Sequence, residues 1–491
     1  MSEAKNKPAQ IDGLTGKTDT YQSLLKRCVY AAMSMQVRGI THKDVVAICS
    51  QNHLDTIVPL LASYFIGATP TFIDFTLTPP ETKELLQRLA PKTIYVEEIF
   101  LAKVLQTGVE SDIVIFGTNL LPETEVEHFE PVPVKNLNEV AGIVFTSGTT
   151  GTPKEITLSH KALLASTIYL TKLSVVPNYV TISPIYTHWI SFSNWLFNAI
   201  ISQSCRVLVP NFDCCNMWDL IDKYQVSVLM LSPYLIPTVL NRTKTYESSL
   251  ALIIVAGANC TRNQIVTLRK FLPETLVLPA YGQTELGGMS ISFNYTNPND
   301  IHLSYRNPTS CGRPLPGYSY KIANPDTEEI LGPNQCGEVR IKTEYRGYYS
   351  SNELDEYDSD GYYKTGDMGY YDDDCCFYVV DRIKEMFKYK GHLVVPFKLE
   401  CLLKTHDAVK NAVVIGLPHD VDGEHAMGLV VLKKECVGTV TESELQEYVD
   451  DKVRSVEKLR GGVRFVNRLY TTALGKVKRK YMKELLLHSQ L

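Results

Sequence analysis

The sequence predicts an α/β protein: a large N-terminal part of two α/β layers with a small β-barrel-like unit, then a small α+β C-terminal part. Three observations carry this. Helical and β-rich runs alternate through the first half of the chain, the pattern of helices laid on a largely parallel sheet. After about Ser310 the texture changes to short β-rich pieces separated by Gly, Pro and Asp, as in a small antiparallel sheet or barrel. The length of 491 residues is roughly three times the ~150 residues of one domain.

Taken in order, Leu24, Leu25, Cys28, Val29, Ala32 and Met33 fall at helical spacing, and the pattern stops near Gly39. A strand-like run, Val45 to Cys49, follows. Helices are expected near Leu54 to Phe65, Glu81 to Leu89 and Ser159 to Lys172, with strands at Thr93 to Val96, Ile113 to Phe116 and Ile143 to Phe145. A second round places strands at Val207 to Val209, Val226 to Leu231, Leu252 to Val255 and Leu276 to Leu278. The β-rich unit contributes Gly337 to Thr343 and Phe377 to Val380. The last stretch mixes strands at Ala412 to Gly416 and Gly428 to Leu432 with a helix that Thr441 and Glu444 open as a capping box.

Composition narrows the class. With 44% hydrophobic and 21% charged residues the chain is neither disordered nor a polytopic membrane protein. The net charge of −5 is too mild to call for a nucleic-acid partner. From Glu385 onward 18 basic residues face 14 acidic ones, a modestly basic tail piece on an acidic body. The 12 cysteines are scattered without a C-x-x-C, which fits reduced thiols rather than a disulfide framework or zinc site. The uncharged run Thr56 to Ile73 contains Pro59, Gly67 and Pro70, so it reads as a helix and a buried strand, not a membrane span.

The segment with the most specific chemistry is Ala141 to Ile156. An apolar strand runs into Thr146, Ser147, Gly148, Thr149, Thr150, Gly151 and Thr152, then Pro153 and Lys154. Glycines let backbone amides crowd a polyphosphate, hydroxyls add donors and the lysine adds a cation. The Walker pattern fails, because Gly148 and Gly151 are too close and Lys154 precedes Glu155.

With TSGTTGTPK in this place, the sequence resembles the adenylate-forming enzymes: acyl- and aryl-CoA ligases, beetle luciferases and the adenylation domains of peptide synthetases. The resemblance recurs in order at Ala280 to Gly288 (AYGQTELGG), Tyr362 to Asp374, Val379 to Val394 and Leu474 to Lys480 (LGKVKRK). It runs from about Thr20 to the end and is greatest, through Lys458 to Val466, for the insect luciferase-like and 4-coumarate-CoA-ligase-like branch.

The resemblance implies ATP-dependent ligation of a small carboxylic acid, fatty or aromatic, to CoA through an acyl-adenylate, with ATP, Mg²⁺ and CoA as cofactors. Thr284 and Glu285 would touch phosphate and hold Mg²⁺, whose preference is for oxygen ligands. Tyr281 and Gly282, with Gly257 and Ala258, would border the adenine. Asp367 would accept the ribose hydroxyls, seconded by Arg382. Lys476 would bridge the acid carboxylate and the α-phosphate during adenylation. Lys384 matches the hinge between an adenylation domain of residues 1–383 and a mobile C-terminal domain of residues 384–491. Lys388 and Gly391 match the surface used in the thiol step. His188 and Trp189 match the wall of the acid pocket.

Departures carry expectations too. Glu155 replaces the usual glycine after the loop lysine and would set a negative charge near the triphosphate. That keeps a catalytically impaired nucleotide binder as an alternative, beside a luciferase-like or carrier-loading enzyme. Tyr186-Thr187-His188 replaces the paired histidines and glycine of beetle luciferases, which argues against light emission. The cluster His419, Asp420, Asp422, Glu424 and His425 lacks H-E-x-x-H and Ca²⁺-loop spacing, so it reads as a turn between strands. The C-terminal Ser489-Gln490-Leu491 resembles a peroxisomal address with its basic residue lost, so peroxisome and cytoplasm are both expected locations. The chain begins later than is usual for the family.

Overall fold

The computed structural model describes residues 4–117, 129–146, 154–172, 179–210, 217–241, 248–345, 356–471 and 477–488. Its contacts divide it into two units, residues 1–319 with 342–361, and residues 320–341 with 362–491.

In the first unit, one sheet orders Asp112–Ile115, Thr93–Val96, Val45–Cys49, Thr69–Phe72, Val140–Thr146 and Lys154–Ser159. All neighbours are parallel except the last pair. A second sheet orders Leu276–Pro279, Leu252–Val255, Val228–Leu231, Val180–Ile182, Cys205–Leu208, Pro8–Asp12 and Thr18–Thr20, parallel up to its final hairpin. The inner strands Thr93–Val96 and Leu252–Val255 are buried at every position, which is why they read as unbroken apolar runs.

Helix ends follow local chemistry. Tyr21–Val37 opens where the Ser23 N–H donates to the Thr20 side chain, and it buries Leu24, Cys28, Ala32 and Met35. The uncharged run resolves into the helix Ile57–Ile66 and the strand Thr69–Phe72. That helix is buried on nearly all sides and stops at Gly67, whose φ of 75° suits glycine. Pro79–Leu89 carries a Thr78/Glu81 capping box. Among the described residues, no helix is long and apolar enough to cross a membrane.

The expected strand Val226 to Leu231 begins at Val228, and Phe377 to Val380 extends to Arg382. The strand Pro8–Asp12 lies in a segment where only polarity was legible. It forms because it pairs with Cys205–Leu208, while buried Gln10 donates to Asp19 Oδ2 and the Leu54 carbonyl. A polar strand held by a distant partner leaves no apolar period to read.

The second unit holds two sheets. One orders Ile330–Leu331, Tyr318–Ala323, Gly337–Thr343, Tyr363–Tyr371 and Phe377–Arg382. The other orders His392–Val394, Phe387–Tyr389, Gly423–Leu432 and Val409–His419, with Val463–Phe465 parallel to Gly423–Leu432. Alternate residues of its long hairpin serve opposite faces. Val414, Ala426 and Val430 pack with Leu399, Leu403, Leu445 and Val449, whereas Val413, Ile415 and Leu429 pack with Met482 and Leu486. The predicted Thr441/Glu444 capping box is present. The 419–423 segment is a turn between two strands, as its sequence implied.

Candidate active site

In the first unit the chemistry-bearing residues gather at the C-terminal ends of parallel strands, where open α/β sheets bind ligands. Thr146 ends the strand Val140–Thr146 and pairs with Lys154 across the antiparallel edge. Ser147, Gly148, Thr149, Thr150 and Gly151, between them in sequence, lie outside the described residues. The Lys154 ammonium is bonded to the Glu356 carboxylate.

Neighbours in a strand point to opposite faces, so Glu155 leaves the Lys154 side. Its Oε2 lies 3.7 Å from Arg88 Nε, and the Arg88 guanidinium covers the Phe145 ring at 5.8 Å. The acid that stands in place of glycine therefore has a cation beside it.

Thr284 and Glu285 occupy a single 3-10 turn, Thr284–Leu286, between the paired strands Tyr281–Gln283 and Gly288–Ser292. Two glycines make this turn possible. A Cβ on Gly282 would stand 2.2 Å from the Gly288 carbonyl oxygen, and one on Gly287, at φ 77°, would meet the Ala162 carbonyl at 2.9 Å. The Gly287 carbonyl accepts from Asn194 Nδ2 at 3.0 Å, and the turn packs on Lys154–Ser159. The strand that bears Lys154 and the acidic turn are thus adjacent. Asn194 was not anticipated, although it is one of two buried amides, with Asn198, in the apolar helix Ile190–Ile201.

Gly257 and Ala258 follow Leu252–Val255, and Tyr281 follows Leu276–Pro279. Because Val255 pairs with Pro279, the two segments leave the sheet side by side. Gly257 takes φ 93°.

His188 is buried, stacked on Tyr186 at 5.4 Å, with Nε2 3.4 Å from Asp74 Oδ2. Burial lowers its pKa, and the Asp74 charge opposes this. Its Nδ1 is buried without a hydrogen-bond partner. His188, Trp189 and Thr187 line a cavity of about 20 Å³ with Tyr64, Gly142 and Ser193, room for about one water. Sequence gave no hint of Asp74, which is distant in the chain.

In the second unit, Asp367 is buried and its Oδ1 lies 3.0 Å from Arg382 Nε, the residue opposite it in register. The Asp367 N–H donates to Thr365 Oγ1, which itself donates to the Val339 carbonyl. Glu338 accepts from the Gly366 N–H through Oε1 and from buried Arg340 through Oε2, so Arg340 supports the loop that presents Asp367. Lys384 lies in the turn Ile383–Glu385. Lys388 pairs with Asp326 at 3.3 Å, and Gly391 turns its hairpin at φ 79°. Lys476 lies outside the described residues. Thr471 and Val477, on either side of it in sequence, form an isolated antiparallel bridge, and Arg479 just beyond is held by Glu385 at 3.1 Å and Glu400 at 2.6 Å.

The first unit thus sets an acidic turn against the strand that bears Lys154, and the second sets the buried carboxylate of Asp367 beside the exposed guanidinium of Arg382. The chain belongs to the AMP-binding enzyme family, which matches residues 1–349, and the AMP-binding enzyme C-terminal domain matches residues 398–476. The family match therefore begins ahead of Thr20, where the resemblance was first legible.

Among its relatives, 4-coumarate–CoA ligase 3 of Arabidopsis thaliana is 28% identical over 98% of this chain and 89% of its own length. Luciferin 4-monooxygenase of Photuris pensylvanica is 27% identical over 99% and 94%. The luciferase-like enzyme from the nonluminescent mealworm Zophobas morio is 33% identical, with a TM-score of 0.73 over 79% of this chain and 94% of that one. ATP-bound MatB from Rhodopseudomonas palustris shares the fold, with a TM-score of 0.89 at 22% identity over 99% and 97%.

Proposed function

We propose that the chain is an ATP-dependent acid:CoA ligase. A carboxylate attacks the α-phosphate of ATP to give acyl-AMP and pyrophosphate, and the CoA thiolate then displaces AMP. Splitting one hard acylation through a mixed anhydride is the logic of covalent activation. The observation that carries the reading is the packing of the Thr284–Leu286 turn on the strand that bears Lys154.

Lys154 and the loop from Thr146 to Gly151 would cradle the triphosphate once Lys154 exchanges Glu356 for phosphate. The Thr284 hydroxyl and Glu285 carboxylate are hard oxygen donors suited to Mg²⁺, which would neutralise phosphate charge. Asp367 and Arg382 would hold the ribose, Tyr281, Gly282, Gly257 and Ala258 the adenine, and His188 and Trp189 the acid. Lys476 would bridge acid and α-phosphate. Lys384 would be the hinge between residues 1–383 and 384–491, and Lys388 and Gly391 would serve the thiol step. The acid is fatty or aromatic, and the Ser-Gln-Leu terminus makes the peroxisome one destination.

The test is acid-dependent exchange of labelled pyrophosphate into ATP across a panel of fatty and aromatic acids, followed by CoA-dependent release of AMP. Lys476→Ala should sharply reduce acyl-AMP formation while sparing ATP binding. Silence across the panel with ATP still bound would instead identify a nucleotide binder.

A further inference from the structure

The turn joining Val409–His419 to Gly423–Leu432 gathers two imidazoles and a carboxylate. One ligating atom from each of His419, Asp422 and His425 lies within 4.8 Å of the others. Asp422 Oδ2 is 2.8 Å from His425 Nε2 and 3.7 Å from His419 Nδ1. The two rings lie nearly parallel, with centroids 4.0 Å apart.

Three features prepare this cluster for a cation. First, Lys390 Nζ lies 3.3 Å from Asp422 Oδ1, which leaves Oδ2 turned toward the imidazoles; a supporting contact of this kind orients a metal-ligating carboxylate. Second, His419 Nδ1 accepts from the N–H groups of Val421 at 3.4 Å and Asp422 at 3.2 Å. That nitrogen therefore carries a lone pair rather than a proton, and its present donors are long. Third, the turn is braced: Gly423 pairs with Tyr389, and the Lys390 N–H donates to the Asp422 carbonyl at 2.8 Å.

We propose that His419, Asp422 and His425 form a site for a borderline divalent transition metal such as Zn²⁺ or Co²⁺. Two nitrogens and one carboxylate oxygen, with solvent in the fourth position, make an open tetrahedral set. Magnesium and calcium prefer oxygen alone, which separates this site from the Thr284–Glu285 turn. Ligand bonds of about 2.0–2.2 Å place tetrahedral donors roughly 3.3 Å apart. The separations of 2.8 and 3.7 Å bracket that value, and the stacked rings must turn out of their parallel planes for both nitrogens to face one ion. A metal on His425 Nε2 takes the lone pair there, so the ring carries its single proton on Nδ1 when the ion is bound. A bound ion stiffens the turn against the hairpin that carries Lys388 and Gly391.

The experiment titrates Co²⁺ into the untagged full-length chain at neutral pH with Mg²⁺ in excess, and compares His419→Ala and His425→Ala. Calorimetry should give one site saturating below about 1 mM, with weak visible bands of nitrogen and oxygen ligation. Each substitution should weaken binding by at least about tenfold without moving the melting temperature, since His419 is exposed and His425 half-buried. The absence of saturable binding would overturn the proposal. So would equal binding in both variants, or an intense thiolate charge-transfer band placing the metal on exposed Cys336 or Cys375.

Discussion

Asp381 is the penultimate residue of the strand Phe377–Arg382 and is buried, its two oxygens accepting from the Arg382 N–H at 2.9 Å and the Phe397 N–H at 3.1 Å. Burial raises its pKa to about 6, with Glu400 adding to the rise while Arg479 and the two backbone donors oppose it. Unfolded, an aspartate titrates near 3.9. Between those values the folded chain keeps a proton that the unfolded chain has lost, so stability falls as pH rises through the window. Two units at about 1.4 kcal/mol each come to roughly 3 kcal/mol.

Asp381→Asn removes this titration. Its amide nitrogen cannot accept from Phe397, which costs about 1–3 kcal/mol at every pH. At pH 4 the variant should therefore be the less stable. By pH 7 the deficit should vanish or reverse, the difference having moved by roughly 3 kcal/mol. Trp189, Trp195 and Trp218 all lie in the first unit, so tryptophan fluorescence would miss the effect. Hydrogen exchange of amides in Val409–His419 and Gly423–Leu432, corrected for intrinsic rates, reads the right unit. A stability difference constant to within about 0.5 kcal/mol across that range would refute the reasoning.

Glu356→Gln releases Lys154 from a half-exposed ion pair worth about 0.5–1 kcal/mol, so the KM for ATP in pyrophosphate exchange should fall about two- to fivefold; an unchanged or raised KM would show that the pair does not compete with nucleotide. Gly282→Ala forces a Cβ into the Gly288 backbone, and should cost about 1–3 kcal/mol by thermal melting and cut adenylation by more than about tenfold through the displaced Thr284–Leu286 turn. Arg340→Met strands the buried charge of Glu338 and should cost about 3–5 kcal/mol in urea unfolding, largely recovered in Arg340→Met/Glu338→Gln. Full stability of the single variant would exclude that ion pair as a support of Asp367.

The sequence by itself settled what is local. Apolar runs at Val45–Cys49, Thr93–Val96 and Leu252–Val255 marked strands because both faces of a parallel strand are buried. The capping box at Thr441 named its own helix because the hydrogen bonds span three residues. The motif residues Thr284, Glu285, Asp367 and Arg382 were legible because their spacing is fixed within one turn or hairpin.

Only the tertiary structure decided how distant charges are matched. Glu155 reads in sequence as a charge near the triphosphate end, and strand alternation sets it beside Arg88 of the helix Pro79–Leu89. Asp74 opposite His188, Asn194 under Gly287 and Glu385 with Glu400 around Arg479 join residues tens of positions apart. So does the contact that holds Pro8–Asp12 on Cys205–Leu208. Their energy arises when burial lowers the local dielectric around two groups brought together by the fold. No periodicity along the chain encodes that meeting, which is why strands, caps and motifs could be read in line while the electrostatic balance could not.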